Sequence, residues 1–125
     1  MAALPATEIA YQALKVNFLL TWGDTWPLVF VLGTENSAGV FTPDNLTGAT
    51  ARLQIRDEAN ALKLDVVPVI TPLTGTVDAT QPYGSTKVDF DAAQYELELT
   101  YSDGTRRTEV SGKITVKGGK VADAP

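Results

Sequence analysis

Apolar and polar residues alternate with a period of two along much of this chain. In the segment from Ala49 to Arg56, alanine, leucine and isoleucine occupy one set of positions, and threonine, arginine and glutamine occupy the other. The same alternation recurs over residues 62–66, 95–101 and 113–117. Successive side chains of a β-strand point to opposite faces, so each segment is predicted to be a strand with one face on a core and one in water.

Two further segments, Leu14–Leu20 and Leu28–Leu32, contain too few polar residues to solvate a face. They are therefore predicted to be strands buried on both sides. Shorter strands are predicted at Val88–Phe90 and Leu73–Val77. The only helix predicted is a short one over Thr7–Leu14, which Thr7 could cap.

Turn-forming residues separate these segments. Asp57–Asn60 is predicted to close a hairpin, and Asp103-Gly104 a second one with its glycine at positive φ. About seven short strands with turns at intervals of about ten residues are typical of an all-β sandwich of antiparallel strands. The predicted core comprises Val16, Phe18, Leu20, Val29, Val31, Leu53, Ile55, Leu97, Leu99, Ile114 and Val116.

The 125 residues are enough for one domain with its own core. We predict an N-terminal arm over residues 1–13, the sandwich over 14–117 and a flexible tail over 118–125. The longest apolar run, Trp26–Leu32, is too short to span a bilayer, and no basic segment precedes an apolar one at the N-terminus. The sequence therefore predicts neither a membrane span nor a secretory signal.

The composition argues against most kinds of chemistry. The chain has no cysteine and no histidine, which excludes disulfides and thiolate nucleophiles and removes the commonest general base and metal ligand. Neither a Gly-x-Ser-x-Gly nor a Gly-x-x-x-x-Gly-Lys motif is present. The net charge of −5 disfavours binding to nucleic acid. We therefore predict a protein that is not an enzyme, uses no cofactor and binds no nucleic acid.

Acidic residues remain as candidates for a site. The pairs Asp89/Asp91 and Glu96/Glu98 would each place two carboxyl groups on one strand face, about 6–7 Å apart. Such acids on a water-facing strand are interpreted as solubilising residues, with glycoside hydrolysis as the distant alternative. A Ca²⁺ site built from loops is a further alternative, and its candidate ligands are Asp24, Asp44, Asp57 and Asp103.

Three aromatic residues could contact a partner. Trp22 and Trp26 flank a turn, and Tyr83 lies in the loop 81–84. Tryptophans in a sandwich are usually core or interface anchors, and both Trp22 and Trp26 could face the core. For Tyr83, a protein interface is the preferred interpretation. Stacking on a sugar is the alternative.

Two arginines lie on the polar side of one predicted strand. Arg52 and Arg56 are four residues apart, which corresponds to about 13 Å. We expect them to pair with acids on a neighbouring strand, such as Glu96 or Glu98, and such exposed pairs contribute little to stability. The alternative is that they grip a partner chain.

An ordered set of segments between Leu20 and Val116 resembles a known family. The segments are Thr21-Trp22-Gly23-Asp24-Thr25, the stretch from Leu46-Thr47-Gly48 to Arg56, Tyr95 to Leu99, Ser102-Asp103-Gly104-Thr105 and Gly112 to Val116. Their order and spacing are similar to the small immunoglobulin-like domain of tailed-phage baseplate and tail proteins, which includes the N-terminal domain of siphophage baseplate upper proteins. The resemblance covers about three-quarters of the chain and leaves Met1–Ala13 unmatched.

The resemblance implies an immunoglobulin-like β-sandwich and a non-enzymatic role as a bacteriophage virion structural protein. Such a protein would be made in the host cytoplasm and would join other virion proteins in the tail, baseplate, collar or fibre anchor, or decorate the capsid. The alternative is a carbohydrate-binding module that uses Trp22, Trp26 or Tyr83.

The predicted arm carries three large apolar side chains, Leu4, Ile9 and Tyr11, with no obvious place inside the domain. One interpretation is an untethered leader, since chain ends are often disordered. The other is that these side chains dock onto a neighbouring subunit, because such contacts close rotational rings. The arm therefore predicts a homo-oligomer, with a trimer as the first expectation.

Overall fold

The computed structural model describes residues 13–118. The arm residues 1–12 and the tail residues 119–125 lie outside it, and so does most of the predicted helix Thr7–Leu14. The last residue of that prediction, Leu14, begins the first strand.

Eleven strands and two single turns of 3₁₀ helix make up the described part of the chain. The strands are β1 (Leu14–Lys15), β2 (Phe18–Thr21), β3 (Val29–Val31), β4 (Gly33–Glu35), β5 (Phe41–Pro43), β6 (Thr50–Asp57), β7 (Leu62–Val66), β8 (Val69–Thr71), β9 (Thr76–Asp78), β10 (Ala92–Thr100) and β11 (Arg106–Lys117). The 3₁₀ turns are Pro72–Thr74 and Tyr83–Ser85.

Two sheets face each other across one core. The larger sheet has the order β1-β11-β10-β6-β7, with β2 also paired to β11, and the smaller has the order β3-β9-β8. Strands β4 and β5 form a separate hairpin. This is the immunoglobulin arrangement, with the strands equivalent to C, F and G in one sheet and those equivalent to B, E and D in the other. The predicted all-β, immunoglobulin-like sandwich is confirmed.

Two pairings depart from the antiparallel sheet that was predicted. Strands β1 and β2 both run parallel to β11, with Leu14 beside Val110 and Phe18 beside Ile114. Antiparallel neighbours can be joined by tight turns, whereas parallel ones need a long crossover. Here most of the domain lies between the two partners, and alternation within a single segment cannot reveal that pairing.

Strand β10 lies at the centre of the larger sheet and carries the predicted alternation. Leu97 lies opposite Leu53 of β6 on one side and Val110 of β11 on the other, and all three are buried. Tyr95 and Leu99, two residues away in either direction, are also buried. The inward rows of β6 and β10 therefore form the floor of the core, as predicted for Leu53, Leu97 and Leu99.

The smaller sheet and the segment before it close the core from above. Trp26, Leu28 and Phe30 precede or occupy β3 and are buried. The ring of Phe30 packs edge-on against Phe18, with ring centroids 6.0 Å apart, and lies 6.0 Å from the ring of Tyr95. This aromatic cluster joins the two sheets at the edge where β2 lies across from β3.

The two N-terminal strands are fastened to β10 and β11 at the point where β1 ends and β2 begins. The hydroxyl of Tyr95 donates to the carbonyl of Val16 at 2.6 Å, and the side-chain oxygen of Asn17 accepts from the N–H of Lys113 at 2.9 Å. The carbonyl of Val16 passes so close to Gly112 that a Cβ there would collide with it. Glycine at position 112 therefore permits the close approach of the two backbones.

The predicted hairpin turns are both present. Gly104 has a φ of +89°, as predicted, and the carboxylate of Asp103 accepts from the N–H of Thr105 at 2.8 Å. Between β6 and β7, Asn60 adopts a φ of +66°, and Asp57 accepts from the N–H groups of two residues of the same turn. These side chains satisfy backbone groups that the strands leave unpaired.

The predicted faces of β3 are wrong. Val29 and Val31 were predicted to be in the core, but both are exposed, and Leu28 and Phe30 are buried instead. Where both sets of alternating positions are apolar, hydrophobicity cannot choose between them. The larger Phe30 occupies the interior, where it contacts two other aromatic rings.

Other predictions of strands and burial need correction. Val88–Phe90 is half-buried but is not a strand, and the first half of Leu73–Val77 is part of a 3₁₀ turn. Leu14–Leu20 is not buried on both sides, because Leu14 and Leu19 are exposed. The other predicted core residues are placed inside, with Val16, Phe18 and Leu20 half-buried against the core and Ile55, Ile114 and Val116 buried.

The floor of the core provides a first prediction. Leu97→Ala should lower the free energy of unfolding by about 2–5 kcal/mol, because it removes buried methyl groups and leaves a cavity. Glu98→Ala, one residue along the same strand, should change the free energy of unfolding by less than about 1 kcal/mol. The side chain is partly exposed, and its ion pair with Arg106, at 3.7 Å, is of the exposed kind that contributes little. Urea unfolding of both variants checks this. Equal losses would contradict the face assignment.

The Tyr95 hydroxyl provides a second prediction. Burial raises the pKa of Tyr95 to about 12, above the value of about 10 for an unfolded chain. The contribution of the neutral hydroxyl is therefore complete below pH 10 and is lost as the pH rises through 12. Tyr95→Phe should cost about 1 kcal/mol at neutral pH. In the variant, the free energy of unfolding should also fall less between pH 10 and 12 than it does in the unmodified protein, as measured by urea unfolding. An unchanged alkaline decline would contradict the assignment.

Candidate partner interface

The outer face of the smaller sheet carries exposed apolar side chains. Cross-strand pairing aligns Val29 of β3 with Asp78 of β9 and Val69 of β8. The next row on the same face aligns Val31 with Thr76 and Thr71. The face therefore consists of valines on the two edge strands, separated by the polar side chains of β9.

The apolar row of β3 continues into the neighbouring hairpin. Gly33 follows Val31 at the same alternating position, and the ring of Phe41 occupies the space that a side chain on Gly33 would need. Phe41 therefore takes the place of the next side chain along the strand. Val29, Val31 and Phe41 are called the outer stripe below.

The outer stripe is open to solvent within the described part of the chain. The exposed fractions are 44% for Val29, 55% for Val31 and 46% for Phe41. Single exposed apolar residues need no explanation, whereas a contiguous set is a candidate for a binding surface. Among residues 13–118, strand β3 also lies at the edge of its sheet, and the N–H of Val29 donates to the carbonyl of Pro27 at 3.0 Å.

A charge interrupts the apolar face. The hydroxyl and backbone N–H of Thr80 hold the pKa of the Asp78 carboxyl below its usual range, and the N–H lies 2.9 Å from one oxygen. Asp78 is therefore ionised at neutral pH and stands beside Val29 and Val69. Covering the whole face would bury this carboxylate, whereas covering the outer stripe alone would leave it in water.

The three aromatic contact candidates lie in different environments. Trp26 has an exposed fraction of 0%, and its indole N–H donates to the carbonyl of Thr21 at 2.9 Å. It is a core residue, and its predicted use as a contact is wrong. Trp22 is half-buried, and its indole N–H donates to the carbonyl of Val88 at 3.0 Å. Only Tyr83 is largely exposed, at 64%.

The two arginines are engaged within their own sheet. Arg52 forms a two-point ion pair with Asp65 of β7, including an Nε–Oδ1 hydrogen bond of 2.8 Å. This contact raises the pKa of Arg52 and lowers that of Asp65. Pairing with an acid on a neighbouring strand is confirmed for Arg52, but the acid is Asp65 of β7 and not Glu96 or Glu98 of β10. Arg56 donates to the side chain of Gln54 and the carbonyl of Asn60.

The predicted acidic pairs and loop aspartates do not assemble into a site. Asp89 forms an ion pair with Lys63 at 3.1 Å, and Glu96 is exposed. Within residues 13–118 no group of three or more acidic side chains is placed to hold a metal ion. No helix in the same residues has the length and apolar character needed to cross a bilayer.

Sequence reasoning missed the outer stripe because it placed both valines in the core. The available signal was that β3 is apolar on both faces, while a sandwich strand needs only one apolar face. The predicted arm contacts Leu4, Ile9 and Tyr11 lie outside the described residues.

Comparisons with known proteins add little to this geometry. No protein-family model and no curated protein matches the chain. Among solved structures, it is similar to extracellular domains 3–5 of Drosophila OTK, with 16% identity and a TM-score of 0.37. That match covers 80% of this chain and 32% of the other.

The two faces of β3 provide a third prediction. Phe30→Ala should lower the free energy of unfolding by about 3–5 kcal/mol, because Phe30 is buried in the aromatic cluster. Val31→Thr should change it by less than about 0.5 kcal/mol, because its side chain faces solvent. Thermal or urea unfolding of the two variants at low protein concentration distinguishes them. A large loss from Val31→Thr would mean that the valine is buried within the single chain.

Proposed function

We propose that this protein is a non-enzymatic structural module of a tailed-phage virion, which joins or decorates other virion proteins. The observation that carries the proposal is the ordered set of segments from Thr21 to Val116 that resembles immunoglobulin-like domains of baseplate and tail proteins. Tail, baseplate, collar, fibre anchor and capsid surface are all compatible with it.

The segments behind the resemblance serve the frame of the domain. The glycines of three of them, Gly23, Gly48 and Gly104, have φ values of +81°, +81° and +89°. Each stands where an L side chain would be strained, so these motifs specify turns between strands. The resemblance to the phage domains therefore concerns turns that occur in the same order along the chain, which supports a common architecture. Such an architecture is compatible with a role in assembly.

The outer stripe supports a role in binding another protein. Its side chains are aliphatic or aromatic and lie on strands rather than on a mobile loop. A rigid apolar strip on a sheet edge favours an extended protein segment as partner. It offers no convergent polar groups of the kind that orient a small molecule.

The carbohydrate-binding alternative rests on three aromatic side chains. Trp26 is buried and Trp22 is half-buried, so their faces do not form an open platform. Tyr83 alone is exposed, and a lone tyrosine is a weak basis for sugar stacking. The geometry therefore favours the structural role.

The proposal is tested on particles produced by the genome that encodes the chain. Mass spectrometry of gradient-purified virions should find the protein at a fixed ratio to the major tail or capsid protein. Deleting its gene should remove a discrete feature from cryo-EM images of the particle. The full-length protein should bind nothing on a glycan array. A protein absent from purified particles, or a specific glycan signal lost on Tyr83→Ala, would overturn the proposal.

A further inference from the structure

We propose that this protein assembles head to tail with itself, so that the outer stripe of one copy packs on the outer face of β11 in the next copy. The inference goes beyond the proposed function, because it names a second copy of the chain as a partner. The contact surface on β11 is the set of outward side chains Arg106, Thr108, Ser111 and Lys113, called the β11 row below. Both surfaces lie within residues 13–118.

The β11 row has a base at each end and small hydroxyl side chains between them. The partners of Lys113 and Arg106 on β10 are six residues apart, which places the two bases about 20 Å apart. Ser111 and Thr108 are the outward residues between them, since Glu109 is the extra residue of a bulge and is buried. Ser111 and Lys113 line a shallow cavity of about 440 Å³. Apolar side chains can lie over these small residues, beside the aliphatic stems of the bases.

The outer stripe carries the complementary pattern. Asp78 stands beside Val29 at one end of the stripe, and Glu35 lies opposite Phe41 at the other end. Six residues separate Val29 from Glu35, so in an extended chain the two ends are about 20 Å apart, as are the bases of the β11 row. The apolar side chains can therefore lie over the small residues while each carboxylate meets a base. Asp78, which is ionised at neutral pH, would then be paired and not buried alone.

The charges on the two sides of the sandwich have opposite sign. Residues 22–51 and 66–86, which contain the smaller sheet and the β4–β5 hairpin, include no lysine or arginine. The same residues include four acids, which are Asp24, Glu35, Asp44 and Asp78. The chain as a whole carries a net charge of −5, yet the outward positions of the larger sheet hold more bases than acids. The bases are Lys15, Arg52, Arg56, Arg106, Lys113 and Lys117, and the acids are Asp65, Glu96 and Glu98.

This segregation of charge favours a head-to-tail contact over the packing of like faces. Two smaller sheets packed face to face would bring the acids of both copies together with no base between them, and two larger sheets would bring two positively charged faces together. A contact between unlike faces joins opposite charges, which orients the two copies and speeds their association. Such a heterologous contact repeats from copy to copy, as a closed ring or an open row.

Two full-length variants, each with one surface blocked, test the contact by sedimentation velocity. Val31→Lys places a charge in the middle of the outer stripe, and Ser111→Lys places one in the middle of the β11 row. Each variant should be a monomer at concentrations where the unchanged protein associates. Their equimolar mixture should form a 1:1 dimer and nothing larger, because one chain supplies an intact stripe and the other an intact row. Recovery of the dimer also shows that both variants are folded.

The other results of this experiment each overturn the inference. Association that survives in Val31→Lys alone would assign the contact to two larger sheets, and association that survives in Ser111→Lys alone would assign it to two smaller sheets. Association of both variants would place the contact elsewhere on the surface. A mixture that stays monomeric, or an unchanged protein that is monomeric at its highest soluble concentration, would mean that the stripe and the β11 row do not bind each other.

The dependence on charge provides an independent measurement. At low salt, Lys113→Glu should weaken self-association by about tenfold or more, and added salt should weaken that of the unchanged protein. Lys87→Glu is the matched control, since it makes the same change of charge in the loop before β10 and should alter the affinity by less than about twofold. Equal effects of the two variants would mean that net charge, and not the β11 row, governs association.

These measurements use purified protein and do not involve virions. Head-to-tail assembly in solution without incorporation into particles would therefore contradict only the proposed function. Incorporation of a protein that stays monomeric in solution would contradict only the head-to-tail contact.

Discussion

The register of β10 is the constraint on which the rest of the structure depends. This strand is bonded on both sides, to β6 and to β11, and its inward residues meet their inward residues in continuous rows. A slip of one residue would turn Glu96 and Glu98 into the core and Leu97 into water. Burial of the leucine row thus sets the alignment of three strands at once, and the smaller sheet packs on the floor that they form.

Those strands were the predictable part of the fold. In β6, β10 and the end of β11, polar and apolar residues alternate without conflict, so period alone gives both the strand and its face. Prediction failed where the alternation of polar and apolar residues did not distinguish a buried face from an exposed one. In β3 both faces are apolar, and in Val88–Phe90 flanking aspartates imitate an alternation that the backbone does not adopt. The parallel pairing of β1 and β2 with β11 also could not be predicted, because it depends on residues nearly a hundred positions away.

The candidate interface was less accessible to sequence reasoning than the fold. The contact predictions favoured large aromatic residues. However, Trp26 is buried in the core, and Trp22 is half-buried, with its indole N–H bonded to the carbonyl of Val88. The stripe instead uses valines, which are as common in cores as on surfaces. Its third member, Phe41, reaches the stripe only because Gly33 leaves room for the ring. This contact between the two strands of the β4–β5 hairpin exists only once the chain has folded.

The parallel attachment of the N-terminal strand has a mechanical consequence. Because β2 and β11 run in the same direction, the chain enters β1 at one end of this pair and leaves β11 at the other. A pull applied through the two termini therefore shears the pair along its length. The bonds of β1 and β2 to β11 share the load, together with the anchors of Val16 and Asn17. An antiparallel terminal pair pulled from one end would instead unzip bond by bond. The parallel attachment therefore resists a pull on the two termini more strongly than such an antiparallel pair would.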